Sequence, residues 1–352
     1  VNILIIGPSW VGDMMMSHSL YQQLKQRYND CNIDVLAPNW CRALLTRMPE
    51  VRHALEMPIG HGRFALAERY RLGKTLRGQY DMAIVLPNSF KSALVPFFAR
   101  IAHRRGWLGE SRYGLLNDWR KNKHDYPLMV QRYVALGFDK DQVPAAVEMV
   151  VHKPYLQVEQ SAVEQTLAKF AHQSALAEHR PVIGFCPGAE FGPAKRWPHF
   201  HYAALAKLLI ARGYQVQIFG SAKDEAVGEA IQTALCADDQ RFCVNLAGQT
   251  SLPEVIDLLS CCDAVVSNDS GLMHIAAALT RPLVALYGPT SPEYTPPLSD
   301  NVEIIRLIKG GLIKVRSSRD SEQGYHQSLI DITPEMALAA LERVLAKSAV
   351  AQ

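Results

Sequence analysis

Twice along this chain, short apolar runs of strand length alternate with segments suited to helix, in units of about 30 residues. In the first half NILIIG (2–7) precedes a helix expected over 13–28. NIDVLAP (32–38) precedes one over 40–47, and MAIVLP (82–87) one over 89–99. The alternation breaks across a polar, irregular stretch, about 138–180, that includes DKDQVP, and then restarts. PVIGFCPG (181–188) leads to a helix over 199–212 that Gly213 can cap, and YQVQIFG (214–220) to one over 223–236. Ser251 and Glu254 have the spacing of a capping box at the start of another helix. DAVVS (263–267) leads to a helix over 271–279, and PLVALYG (282–288) follows. Such alternation builds parallel sheets, and two runs with a break predict two doubly wound α/β domains. Ligands of these sheets bind outside the carboxyl ends of the strands, so the loops after each strand are where function is sought.

Composition narrows the class further. Of the 352 residues 48% are apolar and 20% charged, enough to bury a sizeable core and unlike a disordered chain. No apolar run approaches the ~18–20 residues that cross a bilayer, and the first residues read as a strand rather than an export signal. The seven cysteines (31, 41, 186, 236, 243, 261, 262) include no C-x-x-C pair and are expected as reduced, mostly buried thiols. Charge is unevenly placed. Residues 61–125 hold 13 Lys and Arg against 5 Asp and Glu, in a chain whose net charge is only +3. That stretch calls for an anionic partner. No stacking platform, helix-turn-helix or zinc-finger pattern points to nucleic acid, and an acidic small molecule or anionic lipid fits the charge equally.

The strand-end loops supply the candidates. Gly7 and Gly12 in GPSWVGD have the spacing of a phosphate loop, yet Asp13 stands where that loop needs lysine. G-x-G-x-x-G is also absent after the first strand, which disfavours a nicotinamide dehydrogenase. Asp13 reads either as a carboxylate favoured at a helix start or as a proton acceptor. In LPNSFKSALVPFF (86–98), Asn88, Ser89 and Lys91 are either a capped helix start or an anion- or sugar-binding tip, with Phe97 and Phe98 near a membrane surface. In SNDSGLMH (267–274), Ser270 and Gly271 leave N–H groups at a helix start that form an anion site, with His274 one turn on. The alternative is an ordinary cap by Asp269 or Ser270. PGAEFGPAKRWP (187–198), rich in proline and glycine, presents Lys195, and FGSAK (219–223) adds a third small-residue loop from the same sheet edge. The Asp139-x-Asp141 pair reads as solvated surface, and no cluster has metal-ligand spacing.

GPSWVGDMMMS, LPNSFKSALVPFF, YGLLND, PGAEFGPAKRWP, NDSGLMHIAAAL, YGPTSP and GYHQSLIDITP together resemble glycosyltransferase family nine, the ADP-heptose–lipopolysaccharide heptosyltransferases. The matching motifs run from residue 5 to about 334. The resemblance implies a GT-B fold, two Rossmann-like domains facing across a cleft. Residues 1–170 would bind acceptor, 171–333 would bind ADP-heptose, and a C-terminal helix within 334–352 would pack back on the first domain. It implies transfer of L-glycero-D-manno-heptose to the first heptose of the lipopolysaccharide inner core, with inversion, no bound metal and no cofactor beyond the ADP-heptose donor. Asp13 resembles the family's catalytic base. Lys195, in K-x-W-P, resembles the donor-phosphate lysine. Asp269, Ser270, Gly271 and His274 resemble the donor-site tip, with Asp269 on the heptose, and Ser221 and Glu190 join the donor set. Glu190 and Phe191 stand where type I enzymes have Thr-Thr, which favours the type II branch. Arg63, Lys91 and Arg105, with Asn88 and Ser89, are the acceptor candidates. The implied partners are the heptosyl-Kdo2-lipid A acceptor and the cytoplasmic face of the inner membrane, with the protein cytoplasmic and peripheral to it and no nucleic acid bound. The alternatives are another GT-B transferase of type I or III, a sugar-nucleotide epimerase, or a two-domain protein that closes on a sugar without chemistry.

Overall fold

The computed structural model describes residues 1–60, 62–170, 180–310 and 315–350. The chain divides into two compact units, Val1–Pro154 and Tyr155 onward. Each is built on a six-stranded, wholly parallel sheet.

The first sheet contains β1 (Asn2–Ile6), β2 (Asn32–Ala37), β3 (Val51–Glu56), β4 (Met82–Val85), β5 (His103–Trp107) and β6 (Asp118–Arg120). Their spatial order is β3-β2-β1-β4-β5-β6. Successive side chains of a strand point to opposite faces. Leu4 and Ile6 of β1 therefore join one apolar cluster, with Val85, Leu94 and Val95. Ile3 and Ile5 are equally buried on the other face. The helix Val11–Arg27 follows β1, with Met14, Met15 and Met16 as core, and packs against the helix Met129–Ala135. Gly7 is a packing position. A Cβ there would lie 2.9 Å from Met14 and 3.1 Å from Val35, so the glycine lets the helix sit close on the sheet.

The second sheet contains β7 (Val182–Cys186), β8 (Gln215–Ile218), β9 (Cys243–Asn245), β10 (Ala264–Asn268), β11 (Leu283–Leu286) and β12 (Val302–Ile305). Their order, β12-β11-β10-β7-β8-β9, repeats that of the first sheet. In both, the order reverses beside the first strand of the unit, between β1 and β4 and between β7 and β10. Loops from the carboxyl ends of those strand pairs enclose the crevice where doubly wound sheets hold ligands. The capping box at Ser251 is present: the Ser251 N–H and hydroxyl both donate to Glu254, at 2.7 and 2.8 Å.

Expectation and structure differ between residues 138 and 180. The stretch 138–180 is not wholly irregular, because Gln160–Phe170 is a helix. It belongs to the second unit. Thr166 donates to buried Asp257 at 2.9 Å, and the Leu156 N–H donates to Ala278 O at 3.2 Å. The division therefore falls at residue 154, and an expected start at 171 lies outside the described residues. The C-terminal helix, Pro334–Val350, buries Ala337, Leu341 and Val344 in the second unit's own core, against Leu205 and Val284. The seven cysteines are free thiols and mostly buried, as expected, with Cys236 and Cys261 exposed.

Candidate active site

In the second unit the loop after β7 runs from Pro187 to Pro198 and is pinned at its far end. Trp197 is fully buried, its indole N–H donates to Ile332 O at 2.8 Å, and its backbone N–H donates to the Asn268 side chain at 3.0 Å. Asn268 in turn donates to Pro187 O at 2.6 Å, closing the loop across the end of β10. Between these anchors Pro193–Lys195 forms one 3₁₀ turn. It is entered through Gly192, whose φ of +147° suits glycine and whose Cβ position lies 2.3 Å from Arg316 O. That turn directs Lys195 to Asp269, the first residue after β10, with Nζ to Oδ2 at 2.7 Å.

Asp269 therefore does not cap the helix Gly271–Ala278, and Ser270, at the cap position, makes no side-chain cap hydrogen bond. The ordinary-cap alternative fails here. The helix start keeps its N–H groups for another acceptor, and its dipole favours an anion. His274 is buried one turn in. Burial pushes it down to about 4, against a smaller upward pull from Asp269, so it is a neutral imidazole at pH 7.

Asp224 was not anticipated, yet it ties the neighbouring loops together. It accepts from the Ser221 N–H at 3.0 Å, the Ser221 hydroxyl at 2.8 Å and Arg196 at 3.1 Å. Gly188 and Gly220 both run so close to it that a Cβ would fall 2.6 and 2.7 Å away. Ser221, expected in the donor set, gives both its protons to Asp224 and braces the loop. Glu190 is exposed and pairs with Lys223 at 2.5 Å. The sequence signal for Asp224 was the Ser-x-x-Asp spacing of a capping box, 221 to 224.

In the first unit Asp13 is the third residue of the helix after β1, partly buried at the sheet's switch point. Burial raises its carboxyl from 3.8 to about 6, and a hydrogen bond with the Tyr133 side chain opposes the rise. Tyr133, on the helix Met129–Ala135, is 120 positions away in the chain, and no sequence pattern linked the two. Across the switch point, the loop after β4 carries exposed Asn88 and partly buried Ser89 and Lys91. A fully buried arginine, Arg112, holds this loop by donating to Pro87 O at 2.7 Å, Ser89 O at 3.1 Å and the Ser92 hydroxyl at 3.0 Å. Arg63 is exposed and pairs with Glu68 at 3.0 Å.

Arg105 departs from expectation. It is buried and bonded to Asp118 at 2.5 Å, Leu136 O at 3.1 Å and Asp139 at 2.8 Å. Its donors are consumed inside the unit, so it is not a free acceptor contact. Asp139, expected as plain solvated surface, also binds Arg27 at 2.5 Å.

The sequence profile of glycosyltransferase family 9 (heptosyltransferase) matches residues 69–326. The chain belongs to this family. It is 71% identical to lipooligosaccharide heptosyltransferase 2 of Haemophilus influenzae, across 99% of this chain and all of that one. It is 58% identical to lipopolysaccharide heptosyltransferase 2 of Escherichia coli K12, across 98% and 99% of the two chains. Its structure superposes on E. coli ADP-heptose lps heptosyltransferase II with a TM-score of 0.89 at 55% identity, covering 99% of both chains. The family is a family of glycosyltransferases, and this chain shares its two-domain α/β fold.

Proposed function

We propose that this heptosyltransferase moves L-glycero-D-manno-heptose from ADP-heptose onto the first heptose of the lipopolysaccharide inner core, carried by heptosyl-Kdo2-lipid A, without a bound metal. Its relatives at 58–71% identity are named for heptose transfer in lipopolysaccharide or lipooligosaccharide synthesis, which supports heptose transfer in core synthesis here. The chemistry divides between the two units. In the second, Lys195 and the free N–H groups at Ser270 and Gly271 receive the donor diphosphate, and Asp269 holds the sugar. Neutral His274 lines the same pocket without adding charge. In the first unit Asp13 takes the proton of the acceptor hydroxyl as its oxygen attacks the anomeric carbon. The bond to the diphosphate oxygen breaks on the opposite side, which inverts the centre. The leaving oxygen keeps the electron pair, and its growing charge is met by Lys195 and the helix start. Asn88, Ser89 and Lys91, with Arg63, form the acceptor side.

The observation that carries this reading is Asp13. A carboxyl raised to about 6 by burial, at the carboxyl end of β1, is still ionised at neutral pH and more basic than a solvated one. A phosphate-binding turn would not place an anion there. The test is a transfer assay with labelled ADP-heptose and acceptors one sugar apart. Labelled heptose should appear on the acceptor that already carries one heptose. Transfer only to the heptose-free acceptor indicates type I activity, free sugar nucleotide product without acceptor indicates an epimerase, and binding without turnover indicates a non-catalytic protein.

The same reading places the protein at the cytoplasmic face of the inner membrane as a peripheral enzyme. Among the described residues no helix is long and apolar enough to cross a membrane. What supports lipid contact is a surface of the first unit. Phe64, Tyr70 and Phe97 are 51%, 43% and 40% exposed, and Arg71, Lys74 and Arg100 are exposed beside them in the chain. Aromatic rings among basic side chains suit an anionic lipid interface.

A further inference from the structure

Lys195 and Asp269 come from different strand-end loops, and their ion pair is largely withdrawn from water, with side chains 17% and 8% exposed. His274 is neutral, and Arg196 is already matched by Asp224 at 3.1 Å. The cation intended for the diphosphate is therefore neutralised before any ligand arrives.

We infer that Asp269 makes this site discriminate the intact sugar nucleotide from the nucleoside diphosphate left after transfer. The inference rests on the proposed donor role of Lys195. A diphosphate that engages Lys195 displaces Asp269 from it, and the freed carboxylate then faces another anion where solvent screening is weak. An intact donor compensates, because hydroxyls of its sugar donate to the carboxylate in charge-assisted hydrogen bonds. Once the sugar has moved to the acceptor, the diphosphate terminus carries an additional negative charge and has no hydroxyl to offer. Asp269 then reclaims Lys195, and the product is expelled. The pair acts as a restoring contact that favours substrate over product.

Calorimetric titration of the full chain with ADP and with ADP-heptose tests this. The wild type should bind ADP-heptose more tightly than ADP, and a preference for ADP overturns the inference without any variant. Asp269→Asn should bind ADP about tenfold more tightly, as expected for removing one nearby like charge. The same variant should bind ADP-heptose more weakly. Asp269→Ser, also neutral, should repeat the pattern, and Asp269→Glu, which keeps the charge, should not tighten ADP. An ADP affinity unchanged or weakened in both neutral variants overturns the inference. Lys195→Ala keeps the two readings apart. If it leaves both nucleotides bound as before, the donor-site assignment fails. If it weakens both while the neutral Asp269 variants gain nothing for ADP, the donor site stands and only the discrimination role falls.

Discussion

Asp13 sits in the first turn of a helix, where a carboxylate is usually stabilised, yet its proton affinity is raised because burial outweighs that benefit and the Tyr133 hydrogen bond. The base role proposed for Asp13 has a measurable signature. Asp13→Asn should lower turnover by roughly 10²–10⁴-fold while ADP-heptose affinity is retained. In the wild type, kcat/KM should fall as pH drops through about 6, because protonated Asp13 cannot accept the hydroxyl proton. A profile flat to well below that pH would remove Asp13 from the role. Stability responds in the opposite sense. The folded-state affinity, about 6, exceeds the solvated value of 3.8. The stabilisation from the bound proton is thus complete below 3.8 and lost as pH rises through about 6. Asp13→Asn has no charge to desolvate. Its melting temperature should gain on the wild type between about pH 4 and pH 7, and a gap independent of pH would show that the carboxyl is not desolvated.

Among elements, the loop from β7 to Trp197 decides where Lys195 points, and its hinge is Gly192. Gly192→Ala places a methyl group 2.3 Å from Arg316 O, at a φ of +147° that alanine rarely adopts. The turn must shift, and ADP-heptose binding should weaken at least several-fold by calorimetry, with little loss of secondary structure by circular dichroism. The strand–loop–helix order was legible here because hydrophobic periodicity and Gly/Pro punctuation are local. Lys195, Asp269, Ser270 and Asp13 all stand where a strand's carboxyl end had to be. Residues that work through distant partners were not legible. Tyr133 reaches Asp13 across 120 positions, and Asn268 closes a loop that begins at Pro187. Arg105 was misread for the same reason, because nothing local shows that Asp118 and Asp139 will surround it. Removing it strips Asp118 and Asp139 of their shared buried partner and leaves each with one remaining cation, Arg120 and Arg27. Arg105→Ala should therefore destabilise the protein by on the order of 3 kcal/mol in urea unfolding, and should not act through acceptor affinity. The short edge strands β3, β6, β9 and β12 also escaped, because 3–6 residues with mixed burial carry too little periodic signal.

At the scale of the molecule, two sheets of identical strand order give the chain two switch points, one proposed for each substrate. The half proposed for the acceptor has a further demand, since on that proposal a lipid-borne sugar is met at a bilayer surface. The helix Leu66–Thr75 and the short helix Leu94–Phe98 meet closely at Gly73, where a Cβ would lie 2.6 Å from Phe98. That contact sets Tyr70, Phe97 and Phe98 edge to face, at 5.3 and 5.6 Å, with Lys74 over Tyr70 and Arg104 over Phe97. Each basic residue near an anionic leaflet contributes about 1 kcal/mol, an attraction that salt screens. In flotation with acceptor-free vesicles, the protein should therefore bind phosphatidylcholine containing phosphatidylglycerol and not phosphatidylcholine alone, and should release as salt rises. Arg71→Gln with Lys74→Gln should weaken that binding and flatten its salt dependence. Tyr70→Ser with Phe97→Ser should weaken it while leaving the salt dependence in place, and both pairs should retain transfer to a water-soluble acceptor. Equal recovery on neutral and anionic vesicles, or binding unchanged in both variants, would take the lipid contact away from this surface.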